Sequence, residues 1–178
     1  TGGCVAAWHF CQHDTQETLQ PGAFVRSLAA QLAETVPGYR DLIEADPALQ
    51  ERLDRALADP GSALEGAVLA PLSRVSVPAE PRLLLVDALD ESLELDATGP
   101  RIAVTIVSLL ASKATRFPAW LRVLATSRPN PQVLTPLGTF GMKEIDAESA
   151  GNQDDLRRYI LGCCGREPLA GVLRAEGQ

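Results

Sequence analysis

Arg82-Leu83-Leu84-Leu85-Val86-Asp87-Ala88-Leu89-Asp90-Glu91 is the stretch from which the fold is read. Four consecutive bulky aliphatics, Leu83 to Val86, stand between Pro81 and an acidic cluster. A run that short and that apolar predicts a strand buried on both faces, the pattern of a parallel sheet covered by helices. The acids then fall at the strand's carboxyl end. In open α/β sheets that edge is where ligands bind, so Asp87 is expected to face a ligand rather than the core. A hard cation such as Mg2+ suits such a carboxylate, held through one or two acids and the phosphates of a nucleotide.

On the N-terminal side, residues 4–11 (CVAAWHFC) are apolar and β-prone enough for another strand, with Gln12-His13-Asp14 at its exit. The opening Thr1-Gly2-Gly3 reads as a turn. From Pro21 to Glu34, Phe24, Val25, Leu28, Ala29 and Leu32 recur at helical spacing, and Pro37-Gly38 ends that helix. Residues 38–75 predict further helices, a helical insertion covering one side of the sheet. Asp46-Pro47 sets an N-cap followed by proline at the first helical position, and Asp59-Pro60-Gly61-Ser62 restarts the pattern through Leu64, Val68, Leu69 and Leu72.

On the C-terminal side, Ser92 to Gly99 is polar and acidic, and Pro100-Arg101 is expected to open a helix over 100–115. Its face of Ile102, Ile106, Leu109, Leu110 and Lys113 crosses back over the sheet, as a parallel connection requires. Leu121 to Thr126 is a second buried strand, ending in Ser127-Arg128-Pro129, with Phe117, Pro118 and Trp120 just before it. Gly141 to Ile145 is read as a last short strand, Asp154 to Cys163 as a closing helix, and Leu169 to Gln178 as a frayed continuation. Strands alternating with helices give an α/β fold, a parallel sheet with flanking helices.

A chain of 178 residues with 46% apolar and 22% charged residues describes a soluble globular protein of one domain. A net charge of −7 argues against sequence-independent nucleic-acid binding, because no basic surplus exists to release counterions. No stretch approaches the length of a membrane span, and the N-terminus lacks the basic-then-apolar layout of a signal peptide. A cytoplasmic protein is expected, with reduced thiols at Cys4, Cys11, Cys163 and Cys164. Cys11 with His9 and His13 alternate as zinc ligands on a strand would, but no fourth ligand follows at a recognisable spacing.

The run LLLVDALDE, followed by FPAWLRVLATSRP, resembles the Walker B and sensor segments of NACHT-type P-loop NTPases of the STAND class. Trp8-His9-Phe10-Cys11-Gln12 with Ala23-Phe24-Val25-Arg26-Ser27-Leu28 resembles their nephrocystin-type and TANC-like branch, so the likeness covers roughly residues 4–160. It implies a partial NACHT domain over 1–165 with a tail at 166–178, Mg2+ with ATP or GTP as cofactors, and protein partners engaged through ankyrin, TPR or WD repeats outside this chain. By position, Asp87 matches the acid that supports Mg2+, and Asp90 or Glu91 the acid that orients or activates the attacking water. Arg128 matches the arginine near the terminal phosphate, where a fixed positive fork would sense or stabilise charge. Its plainer reading is a salt link to Asp87 or Asp90 across the strand ends.

The family's phosphate loop, G-x-x-x-x-G-K-[ST], cannot be written in these 178 residues: the two lysines, Lys113 and Lys143, follow Ser112 and Met142. In the family the strand before that loop lies beside the one ending at Thr126. The expectation is therefore a piece of a larger nucleotide-dependent switch, inactive by itself. The alternative is a non-catalytic interaction scaffold that has lost nucleotide binding. A phosphotransferase using Asp87 as nucleophile fits less well, since its usual D-x-D spacing is here Asp87-Ala88-Leu89-Asp90.

Overall fold

The computed structural model describes residues 4–96 and 104–166. The chain divides into two compact units, one up to Thr139 and one from Phe140. The first holds a parallel sheet of three strands, β1 (Val5–Phe10), β2 (Arg82–Asp87) and β3 (Leu121–Ala125), in the order β1-β2-β3. The aliphatic run is thus the central strand, with Trp8 aligned to Leu85 and Leu85 to Leu124.

After β1 come α1 (Gln16–Leu19) and α2 (Pro21–Thr35). Phe24, Val25, Leu28, Ala29 and Leu32 are buried on one face of α2, as their spacing predicts. Phe24 meets His9 edge-on, ring centroids 5.0 Å apart, which places α2 on the face of β1 that carries His9. Two side chains of α2 also close the outer edge of β1. The Gln31 amide accepts from the Trp8 N–H at 3.0 Å and donates to the Trp8 carbonyl at 2.8 Å, while the Thr35 hydroxyl donates to the Ala6 carbonyl at 2.6 Å. Gln31 thereby imitates a neighbouring strand and satisfies groups that would otherwise offer a pairing template.

The region read as a helical insertion contains α3 (Tyr39–Ala45), α4 (Pro47–Asp54), α5 (Pro60–Ala63), a π-helical segment Leu64–Leu69 and α6 (Ala70–Leu72). Asp46 and Asp59 cap α4 and α5, accepting from the N–H groups of Ala48 and Ser62. The π segment has a cause in the sequence. Pro71 stands four residues after Ala67, so it offers no N–H to the Ala67 carbonyl and its ring crowds that oxygen. The helix widens instead, and the buried Tyr39 hydroxyl donates to the Ala67 carbonyl at 2.7 Å.

Beyond the sheet's acidic turn, α7 (Ile106–Lys113) begins at a capping box made by Thr105 and Ser108 and buries Ile106, Val107, Leu109 and Leu110. Lys113 ends it in a salt bridge to Glu65 of the π segment, which Arg116 joins at 3.0 Å. A short helix α8 (Pro131–Leu134) follows β3, capped by Asn130. The expected start of α7 at Pro100-Arg101, and Ile102, lie outside the described residues, as do Thr1-Gly2-Gly3 and Leu169 to Gln178.

The expectation that the aliphatic strand is buried on both faces is corrected. Leu84 and Val86 are sealed, whereas Leu83 and Leu85 on the opposite face are half-buried. On that second face Trp8, Phe10 and Leu124 are 51%, 42% and 50% exposed. An aliphatic run carries no period that separates one covered face from two.

In the second unit, Gly141 to Ile145 form no strand. Met142 and Ile145 stand three residues apart rather than two, and both are exposed, so there is neither a ladder partner nor a common face to stabilise one. The closing helix is present as α9 (Ala150–Cys164), capped by Ser149. All four cysteines are free.

Candidate functional site at the carboxyl ends of the strands

The site is built at the point where β2 gives way to a turn. Ala88 adopts φ 54°, a left-handed conformation uncommon outside glycine, and its N–H donates to the Thr126 hydroxyl at 3.0 Å. Leu89 is buried, with its N–H donating to the Thr126 carbonyl at 2.9 Å, and it opens a 3-10 segment, Leu89–Asp96. Thr126 in turn donates its N–H to the Val86 carbonyl at 2.9 Å. This stitching of the β2 and β3 ends turns the chain sharply enough to bring Asp90 and Glu91 back beside β3.

Their carboxylates are held rather than solvated. Asp90 accepts from the Arg128 backbone N–H at 3.0 Å, and Glu91 from the His13 backbone N–H at 2.8 Å. The Arg128 guanidinium lies 3.8 Å from Asp90 and 3.9 Å from Glu91, and the His13 ring Nδ1 lies 3.5 Å from Glu91. Asp90 and Glu91 are only 12% and 18% exposed, while the Arg128 side chain is 79% exposed. An ion pair so long and so wet contributes little to stability, about 0–1 kcal/mol, and leaves the guanidinium able to turn to another anion. The plainer reading of Arg128 therefore holds for Asp90, with Glu91 added, but no ion pair joins Arg128 to Asp87.

Asp87 is fixed differently. Its Oδ1 accepts a short hydrogen bond from the Thr126 hydroxyl, and its backbone carbonyl accepts from the Cys11 N–H at 3.1 Å. Among the described residues its second carboxylate oxygen has no donor. Cys11 registers the combined field of this corner: burial first, then the carboxylates of Glu91, Asp87 and Asp90, push its thiol up to about 12.

An open depression of about 250 Å3 is lined by Ala88, Asp90, Glu91, Thr126, Ser127 and Arg128. Asp87 is outside that lining and connects to it through the Thr126 hydroxyl. A slightly larger depression of about 280 Å3 lies at the outer edge of β1 against α1 and α2, with Glu17 its one acidic lining residue. The convergent chemistry belongs to the smaller one. Among the described residues no three His, Cys, Asp or Glu side chains converge as a metal cage, His9 and Cys11 included.

From the sequence Thr126 is only a strand end, and Cys11 and His13 only a weak zinc alternation with His9; none of the three is placed at this corner. Thr126 had a signal, since a hydroxyl directly after a buried strand stands level with the neighbouring strand's terminal acid. The alternation of His13 and Cys11 says nothing of these acids, because only the β1–β2 register brings them to Glu91 and Asp87. No helix among the described residues is long and apolar enough to cross a membrane. The family described as Nephrocystin 3, N-terminal, matches residues 2–128, and the chain belongs to that family. No solved structure matches it.

Proposed function

We propose that this member of the nephrocystin 3 N-terminal family is a NACHT-type NTPase domain, and that its strand ends form the acidic half of a Mg2+-nucleotide site in a larger signalling or scaffold protein. The observation that carries the reading is the gathering of Asp87, Asp90, Glu91 and Arg128 at the carboxyl ends of two adjacent parallel strands. In it, Asp87 holds the cation through its uncommitted oxygen, and Asp90 or Glu91 orients the attacking water. Arg128, loosely held in the present arrangement, turns its planar fork to the terminal phosphate of ATP or GTP. Bound Mg2+ would supply neutralisation of the phosphate oxygens. The cradle of backbone amides and lysine that such a site also needs is not among these 178 residues; this reading requires the full-length protein to supply it.

Substitution in the full-length protein separates the roles. Asp87→Ala weakens Mg2+-nucleotide binding, while Asp90→Ala and Glu91→Ala lower hydrolysis more than binding, by about 100–10,000-fold for the one that acts as general base. Equal hydrolysis in all three variants removes these acids from the mechanism. The alternative reading is an interaction scaffold that has lost nucleotide binding. On that reading none of the three changes touches a nucleotide-dependent property, because there is none.

A further inference from the structure

Thr126 occupies a position that its backbone role does not explain. Its hydroxyl lies between two partners, accepting from the Ala88 N–H at 3.0 Å and donating to Asp87 Oδ1. The direction is fixed by chemistry: an amide can only donate, so the hydroxyl's single proton must go to the carboxylate. A threonine at the end of a strand, with its side chain open to solvent, has no need of either bond for burial. The effect of both is to tie one oxygen of Asp87 to the frame of β3 and to the left-handed turn at Ala88.

We infer that Thr126 is a positioning residue, one that holds Asp87 so that a single carboxylate oxygen faces a divalent cation. The inference rests on the proposed reading of Asp87 as the cation's protein ligand. A carboxylate free to rotate offers either oxygen and has to lose that freedom on binding; Thr126 removes it beforehand. Partners of this kind around a metal ligand are typically worth about 10–100-fold in metal affinity.

The test uses the full-length protein and titrates Mg2+ at fixed ATP, with GTP in a parallel series. Thr126→Val keeps the shape and removes the hydroxyl, and it should raise the Mg2+ concentration for half-maximal nucleotide binding by about 10–100-fold. Affinity for the nucleotide in EDTA should not move. Thr126→Ser keeps the hydroxyl and should stay near the wild type in both. Should Thr126→Val not fold, Thr126→Ala carries the same expectation without a branched substituent. A residue that merely braced the turn would lower melting temperature and change binding with and without Mg2+ alike; that outcome overturns the inference. Asp87→Asn, measured alongside, separates the two levels. If it shifts the Mg2+ requirement and Thr126→Val does not, the role of Thr126 fails alone. If Asp87→Asn shifts nothing, the reading of Asp87 as a cation ligand fails with it.

Discussion

Arg128 illustrates how one side chain reports on the whole corner. Its backbone N–H fixes Asp90, while its guanidinium hovers at 3.8–3.9 Å from two acids without a close contact to either. If the fork meets the terminal phosphate, Arg128→Ala reduces discrimination between nucleoside tri- and diphosphates, and Arg128→Lys preserves little of it because a point charge lacks the planar geometry. Binding ratios for the two nucleotides decide this; an unchanged ratio with a lowered melting temperature leaves only the salt link. His9 allows a second prediction at this scale. Burial lowers its pKa from 6.5, partly offset by the hydrogen bond from its Nε2 to the Thr18 carbonyl at 2.7 Å. The unfolded chain therefore binds the proton more readily, and this contribution to stability falls as pH drops below about 6.5. Melting temperature should fall between pH 7.5 and 5.5 more steeply in the wild type than in His9→Gln, and parallel slopes would contradict the assignment.

Among the elements, the π segment makes the clearest case of sequence dictating an irregularity. With Pro71 unable to donate, the Ala67 carbonyl depends on Tyr39, and both groups are buried. Tyr39→Phe leaves that oxygen without a donor and should cost about 1–3 kcal/mol by chemical denaturation. A cost near zero would mean that Leu64–Leu69 relaxes to another hydrogen-bonded form. Gly22 has a comparable constraint at the start of α2, since a Cβ there would stand 2.4 Å from the Ala56 carbonyl oxygen. Gly22→Ala must therefore push α2 away from the turn after α4, and thermal unfolding should show it destabilised. The helices of this region were legible because Asp46-Pro47 and Asp59-Pro60 mark starts; the Asp46 cap forms as read, and Asp59 caps its helix as well. The π widening was not, because it needs a tyrosine some thirty residues away. Gly141 to Ile145 misled for the opposite reason: local composition suggested a strand that no neighbouring strand supports.

At the scale of the molecule, the sheet order puts the decisive stretch in the middle and leaves its two faces unequal. Gln31 and Thr35 close the outer edge of β1, whereas the row Trp8, Leu85 and Leu124 crosses an incompletely covered face. An apolar face this open promotes association. Leu124→Lys should lower light scattering and binding of an apolar dye by the 178-residue chain with little loss of stability, and unchanged values would show that this face is not what associates. The candidate site itself was partly legible. Asp90, Glu91 and Arg128 are neighbours at the strand ends, yet Asp87 is reached through Thr126, a link that register creates and spacing does not reveal. If these acids are half of a Mg2+-nucleotide site, isothermal titration of the full-length wild type and Asp87→Ala with ATP or GTP, in Mg2+ and in EDTA, separates the two proteins. Mg2+ should strengthen binding in the wild type and lose that effect in Asp87→Ala; equal Mg2+ dependence in both, or no nucleotide binding by the full-length protein, rules the site out.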